Sequence, residues 1–286
     1  RGGEDVSKGL KIGLWVVAFL LVCVQVFLYF IEDMTDYVLI YEWIIYGINY
    51  VIILIVFLGT INKPYIKVFQ WLFAAILFVL NSVAFYQYGY SHVVVSKSAD
   101  KQHEVILKEM KNTDEKTVQL QRRGLVFGRV IRTLEGSDTY KTIDKHSYQL
   151  QWVTGNIALL TYKTADEEDS EQLFMNFRPS DGYYNIAVSL SGQWTAKEHP
   201  DNHLTYDRGT IVFTLDGKQY DYRDAVDTEQ LGVYGVTFYG DDLRPTFTIV
   251  LNEDSHISAT TNLVEDGGTI SLCLANSNCD VYVKEP

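Results

Sequence analysis

The chain has 286 residues, 47% hydrophobic and 14% aromatic, with a formal net charge of −12. From Ser91 onward 19 Lys and Arg face 30 Asp and Glu, which puts a formal −11 on that part and makes DNA and RNA poor partners. An anionic membrane or wall polymer repels such a surface as well, unless cations bridge the two or a basic patch is hidden in the sum.

Three apolar segments fill the first ninety residues, at about 11–31, 37–60 and 65–86. Each meets the requirement of roughly 20 residues for a hydrocarbon core about 30 Å thick, and only a helix satisfies its own backbone there. The prediction is a membrane α-helical anchor over residues 1–90 with three transmembrane helices. A cleaved signal peptide fits the first segment poorly, because its apolar run is long and IEDMTD follows in place of a small-residue cleavage site. Lys8 and Lys11 precede the first segment, and Lys63 and Lys67 flank the turn between the second and third. The loop between the first and second carries Glu32, Asp33 and Asp36 without a Lys or Arg. The positive-inside rule then makes this a multi-pass cell-membrane protein, with a cytoplasmic amino terminus and an extracytoplasmic carboxy-terminal domain. Tyr29, Phe30, Tyr37, Tyr41, Trp43, Phe85, Tyr86, Tyr88 and Tyr90 would form an aromatic girdle at the outer interface. Because the sequence opens on Arg1 and not on methionine, further cytoplasmic residues are expected before it.

Polar residues inside apolar spans are costly and tend to face protein. Gln25 and Asn81 fall at matched depth, about 20 and 22 Å above the inner interface at 1.5 Å per residue, whereas Asn49 is expected nearer mid-membrane. Gln25, Asn49 and Asn81 are thus candidate intramembrane helix contacts, within the anchor or to another membrane protein. Glu42 and Gln70 lie close enough to an interface to snorkel.

Residues 91–116 read as a charged connector, a stalk or short helix that becomes a strand near 117. Residues 117–286 form an extracytoplasmic, mainly β domain, either a sandwich or barrel-like. Short alternating runs at 117–122, 125–134, 147–153, 157–163, 172–177, 183–190, 203–206, 209–215, 218–223, 231–239, 245–251, 256–260, 268–274 and 279–284 support this. Asp216-Gly217 signals a type I′ hairpin turn, and a second hairpin is expected around Thr154 to Asn156, with Trp152 and Leu160 in the core. The absence of a fixed period argues against a propeller or solenoid. The segment Ser191 to Thr195, SGQWT, resembles the Gly-x-Trp that opens lipocalin-like barrels, but this covers five residues and no function is taken from it.

Cys23 lies within the first segment and is expected to be packed there. Folding ISLCLANSNCDVYVK about Asn276 sets Cys273 opposite Cys279, a candidate disulfide in an oxidising compartment. No Asn-x-Ser/Thr acceptor occurs in the outer part, which leans towards a bacterial source. His199 and His203 have a zinc-like spacing, but Pro200 opposes a helical presentation and no third ligand is near in sequence. Ser98 and Lys101 match Ser-x-x-Lys without its companion motifs. The acidic runs at 166–171, Asp181-Gly182, Asp241-Asp242 and Glu265-Asp266-Gly267 lack EF-hand spacing and read as turns. No cofactor or metal is predicted.

The expected function is that of a non-enzymatic bacterial membrane protein, an accessory, sensor or protective subunit of a membrane complex. Its outer β domain would bind a protein or other extracellular ligand, and its partners would be the lipid bilayer and another membrane protein, not nucleic acid. An extracytoplasmic cell-envelope enzyme and an immunity or resistance protein against membrane-active peptides are the alternatives.

Overall fold

A computed structural model describes residues 2–58, 64–136, 140–165, 170–179, 185–207, 209–222, 228–275 and 277–286. The side chains of Lys8 and Lys11, together with Lys63, residues 166–169, Asp181, Gly182 and Asn276, lie outside the described part. The chain divides into two compact units. One contains residues 1–95 and 105–146, the other 96–104 and 147–286.

The first unit opens with α1 (Gly2–Met34), continues through β1 (Tyr37–Leu39) into α2 (Trp43–Leu58), and returns along α3 (Pro64–Ala84) into a single π-turn at Phe85–Gly89. Two apolar stretches, Ile12–Met34 and Tyr65–Gly89, are long enough to cross a membrane by length and composition; α2, with 16 residues, is shorter. The second segment, predicted at 37–60, is helical over the described residues Trp43–Leu58, while 59 and 60 lie outside the described part. Its first residues form a strand, because Tyr, Val and Leu suit the pleated backbone and find a distant partner.

That partner belongs to a five-stranded sheet of order β1-β5-β4-β3-β2, where β2 is Ser91–Lys97, β3 Glu104–Met110, β4 Val118–Arg123 and β5 Phe127–Thr133. Leu39 opposes Phe127 across the β1–β5 pair. Residues 91–116, expected as a stalk or short helix, thus contain two strands. Their charges misled because Lys108 and Glu109 are buried and partnered, not solvated.

The second unit is mainly β. A three-stranded sheet holds β6 (Tyr148–Thr154), β7 (Ile157–Lys163) and β8 (Ser170–Asn176). A short helix α4 (Ile186–Ser189) follows, then β9 (Gly192–Ala196), β10 (His203–Asp207), β11 (Thr210–Leu215), β12 (Lys218–Asp221), β13 (Thr228–Leu231), β14 (Gly235–Phe238), β15 (Phe247–Leu251), β16 (Thr269–Leu274) and β17 (Cys279–Lys284). These nine strands form one antiparallel sheet of order β12-β11-β10-β9-β17-β16-β15-β14-β13. The sheet curls. Phe213 of β11 lies 5.5 Å, ring centre to centre, from Phe247 of β15, although four strands separate them in the sheet order.

Trp194, Phe213, Phe238, Phe247 and Tyr282 fill the concave side. On the other side Ile157, Leu159 and Phe174 of the small sheet pack with Val250 and Cys273. The strand expected at 183–190 is replaced at 186–189 by α4, because the Asn185 side chain accepts from the Val188 amide and caps a helical turn. Only an isolated bridge, Ile257 to Val264, stands in the run expected at 256–260.

Candidate functional site

Three side chains join the helices of the first unit. The Gln25 amide donates to Asn49 Oδ1 at 2.8 Å and to the Ile45 carbonyl at 3.0 Å. Asn49 in turn donates to Asn81 Oδ1 at 2.9 Å, and Asn81 to the Tyr46 carbonyl at 3.3 Å. Asn49 is the middle link. Depth reckoning put it below the other two, but α2 begins at Trp43 and not at Tyr37, which lifts Asn49 by six residues. Tyr50 and Ser82, the residues next to Asn49 and Asn81, meet through their hydroxyls at 2.8 Å.

The helices are apolar outside, and between them amides sit among buried apolar residues such as Leu28, Ile45, Ile53 and Ile55. Phe19, Val26 and Phe30 of α1 and Phe69, Leu72 and Val83 of α3 are exposed, whereas the buried residues of α3 include Gln70, Ala74 and Asn81. Gln70 donates to the Val56 carbonyl. Cys23, expected to be packed, is exposed and unpaired on α1. Between α2 and α3 runs an open groove of about 660 Å³, lined by Tyr50, Ile53, Phe57, Trp71, Ala75 and Phe78 among others. The small side chains at 74 and 75 make the groove, and Phe57 stacks on Trp71 at 5.6 Å at one end of it.

The sheet of this unit is fastened to the helix ends by charge. Lys108 reaches from β3 to the Leu39 carbonyl at 2.8 Å and to the Glu42 carboxylate, with a side chain only 7% exposed. Leu39 also donates its amide to Glu32 at 2.7 Å. Glu109, fully buried, accepts from the Thr117 hydroxyl at 2.7 Å and from the Ile143 and Asp144 amides at 3.1 and 2.9 Å. Asp144 then faces Lys111 at 3.2 Å and His92 at 2.9 Å. Hydrogen bonding to the Lys111 ammonium holds the Asp144 carboxyl below its ordinary range and raises Lys111 above its own.

In the second unit Cys273 and Cys279 oppose each other in the β16–β17 pair, joined as a disulfide with Cα atoms 4.1 Å apart. Near the end of β14 a cleft of about 320 Å³ is bordered by Ser170, Asp241, Arg244, Leu274 and Ser277 among others. Arg244 clamps Asp241 Oδ2 through Nε at 3.0 Å and Nη2 at 2.6 Å, while its Nη1 donates to the Asp221 carbonyl at 3.0 Å. Its guanidinium lies 5.4 Å from the Tyr222 ring centre, and the Tyr222 hydroxyl donates to the Pro245 carbonyl at 2.6 Å. These bonds tie the β14–β15 loop to the end of β12, so the cation is committed to structure. The Arg244 hydrogen bond lowers Asp241 to about 2, and burial raises the Tyr222 hydroxyl.

The remaining sequence motifs are spread apart. His203 meets the Thr195 hydroxyl at 3.0 Å, and His199 lies 3.9 Å from Asp280. Ser98 and Lys101 close a turn between β2 and β3, where Ser98 donates to Asp100 at 2.5 Å. Gly267, at φ 80°, serves the turn before β16. Among the described residues no three His, Cys, Asp or Glu side chains gather as a metal-binding group. The Glu42–Lys108 pair and the Asp241–Arg244 clamp escaped sequence reasoning. The only available signals were charges inside the apolar run VILKEM and an acid–base pair at i, i+3. No protein-family model, no curated protein and no solved structure matches the chain.

Proposed function

We propose that this is a bacterial cell-membrane protein whose three helices lie in the bilayer and whose sheets lie outside the cell, acting by binding as an accessory, sensor or protective subunit of a membrane complex. The observation that carries the reading is the inverted helix surface: phenylalanine and leucine outward, amides turned onto one another. Water would penalise that arrangement, and hydrocarbon favours it. The short α2 sits against both α1 and α3, and its amide hub makes the helices a packed unit, more than a tether requires. The α2–α3 groove, small at its floor and apolar along its walls, is the seat on the anchor best suited to a helix of the partner.

Purification from native membranes in mild detergent, after brief crosslinking, tests the reading. A stoichiometric membrane partner is expected, with its yield reduced by Ala75→Leu, which fills the groove. A strictly monomeric species at native expression, unchanged by that substitution, would overturn it.

A further inference from the structure

Strands β4 and β5 form a hairpin whose turn, Gly124 to Val126, stands at the helix end of the five-stranded sheet. Two contacts fix its place. The Ile40 amide donates to the Val126 carbonyl at 2.8 Å, and Val126 and Phe127 pack against the apolar cluster formed by Leu28 of α1, Leu39 of β1 and Ile45 of α2. Leu28 lies six residues inside the end of α1, about 9 Å along the axis at 1.5 Å per residue. The turn therefore reaches below the level at which α1 ends.

The composition of the hairpin is unlike that of its surroundings. Residues 117–134 hold Arg122, Arg123, Arg129 and Arg132 and no acidic residue, in a region that is otherwise strongly acidic. At the tip Leu125 is 90% exposed, more than Phe19 or Phe69 on the helices. Gly124, at φ 78°, makes the sharp turn that projects it. A lone exposed leucine means little. Arg129 faces Asp36 at 3.6 Å, but a leucine held at the depth of an apolar helix end with Arg123 beside it has the makings of an interfacial anchor, with the apolar tip in hydrocarbon and the guanidinium at phosphate level.

We propose that the β4–β5 hairpin is a second, non-helical membrane-binding element. Leu125 enters the outer leaflet, and Arg123, whose Nη2 donates to Gln121 at 2.6 Å, turns its remaining donors to the phosphates of anionic phospholipid. This rests on the reading that the helices span the bilayer. It also gives an acidic protein a local basic contact with an anionic surface, and it fixes the height of the first sheet above the membrane.

The test uses the full chain in lipid nanodiscs, in a Cys23→Ser background that leaves the Cys273–Cys279 disulfide intact. Single sites Phe19→Cys, Leu125→Cys and Thr133→Cys carry an environment-sensitive fluorophore, and brominated phospholipids serve as quenchers. Thr133 lies six residues beyond Phe127 along β5, about 20 Å away at 3.3 Å per residue. Quenching is expected at 19 and 125 but not at 133. Added anionic lipid should strengthen it at 125, and Arg123→Gln should weaken the preference for anionic lipid roughly fivefold at low salt. Quenching at 19 without quenching at 125 would overturn the hairpin proposal and leave the membrane anchor standing. Failure at both sites would overturn both readings. Quenching at 125 that ignores headgroup charge and Arg123→Gln would overturn the phosphate contact.

Discussion

The helices of the first unit and the curled sheet of the second solve opposite problems. The sheet buries Trp194, Phe213, Phe238 and Phe247 and so gains from removing apolar surface from water. The helices leave Phe19, Phe69 and Leu72 exposed and bury Gln70 and Asn81 beside Leu28, Ile45 and Ile53. One chain thus uses aromatic packing where water surrounds it and amide bonding where, on the reading proposed, lipid does. The strength of the holding forces should differ accordingly.

The largest effect is expected from Phe247→Ala. This ring lies within about 5.5 Å of the Phe213, Phe238 and Tyr222 rings, and its loss should cost about 3–5 kcal/mol. Chemical denaturation followed by near-ultraviolet circular dichroism checks it. Equal loss of the helical signal at the same midpoint would show that the two regions do not hold separately. Next comes Lys108→Ala, which strands Glu42 beside the Leu39 carbonyl and should cost about 3 kcal/mol, since breaking a largely buried pair leaves a charge without its partner. Lys108→Met with Glu42→Gln should recover most of it. Opening the disulfide by Cys273→Ser with Cys279→Ser closes no large loop in the unfolded chain, so about 2 kcal/mol is expected, confined to the second unit.

Asn49→Leu should cost the helices only about 1 kcal/mol, because interhelical bonds in lipid are worth about 0.6 kcal/mol on average. A loss as large as that of Phe247→Ala would mean that water, not lipid, surrounds the helices. The smallest effect concerns acid. The Asp241 carboxyl is lowered from 3.8 to about 2, so its contribution is complete above pH 4 and lost as the pH falls towards 2. Asp241→Asn should flatten the dependence of unfolding midpoint on pH across that interval and leave it unchanged near neutrality.

Local chemistry explains which features were readable in advance. Asp216 and Gly217 both have positive φ, at 50° and 78°, as the Asp-Gly turn between β11 and β12 requires. The hairpin at 154–156 and the facing cysteines likewise depend on residues close in sequence. Trp152 is only half buried and donates to Ser96 at 3.0 Å, while Leu160 is fully buried. What stayed hidden depends on distant partners. Tyr37–Leu39 is as apolar as the helix after it, and nothing nearby reveals that β5 will pair with it. Lys108 and Glu109 look like solvent-facing charges until Glu42 and the 143–144 backbone arrive. Gln25, Asn49 and Asn81 stand out as polar residues among apolar ones, but their order in a chain of bonds depends on where α2 starts.

Strand β1 also sets a timetable. Leu39 must wait for Phe127, 88 residues later, before its edge is paired. At about 5–20 residues per second a ribosome needs roughly 4–18 s to supply them. Throughout that interval α1 and α2 are joined by an open strand, and a foreign segment can occupy its place. Assembly of the helices is thus finished by a hairpin made well after them, and truncation before residue 127 should leave a product that quality-control proteases clear.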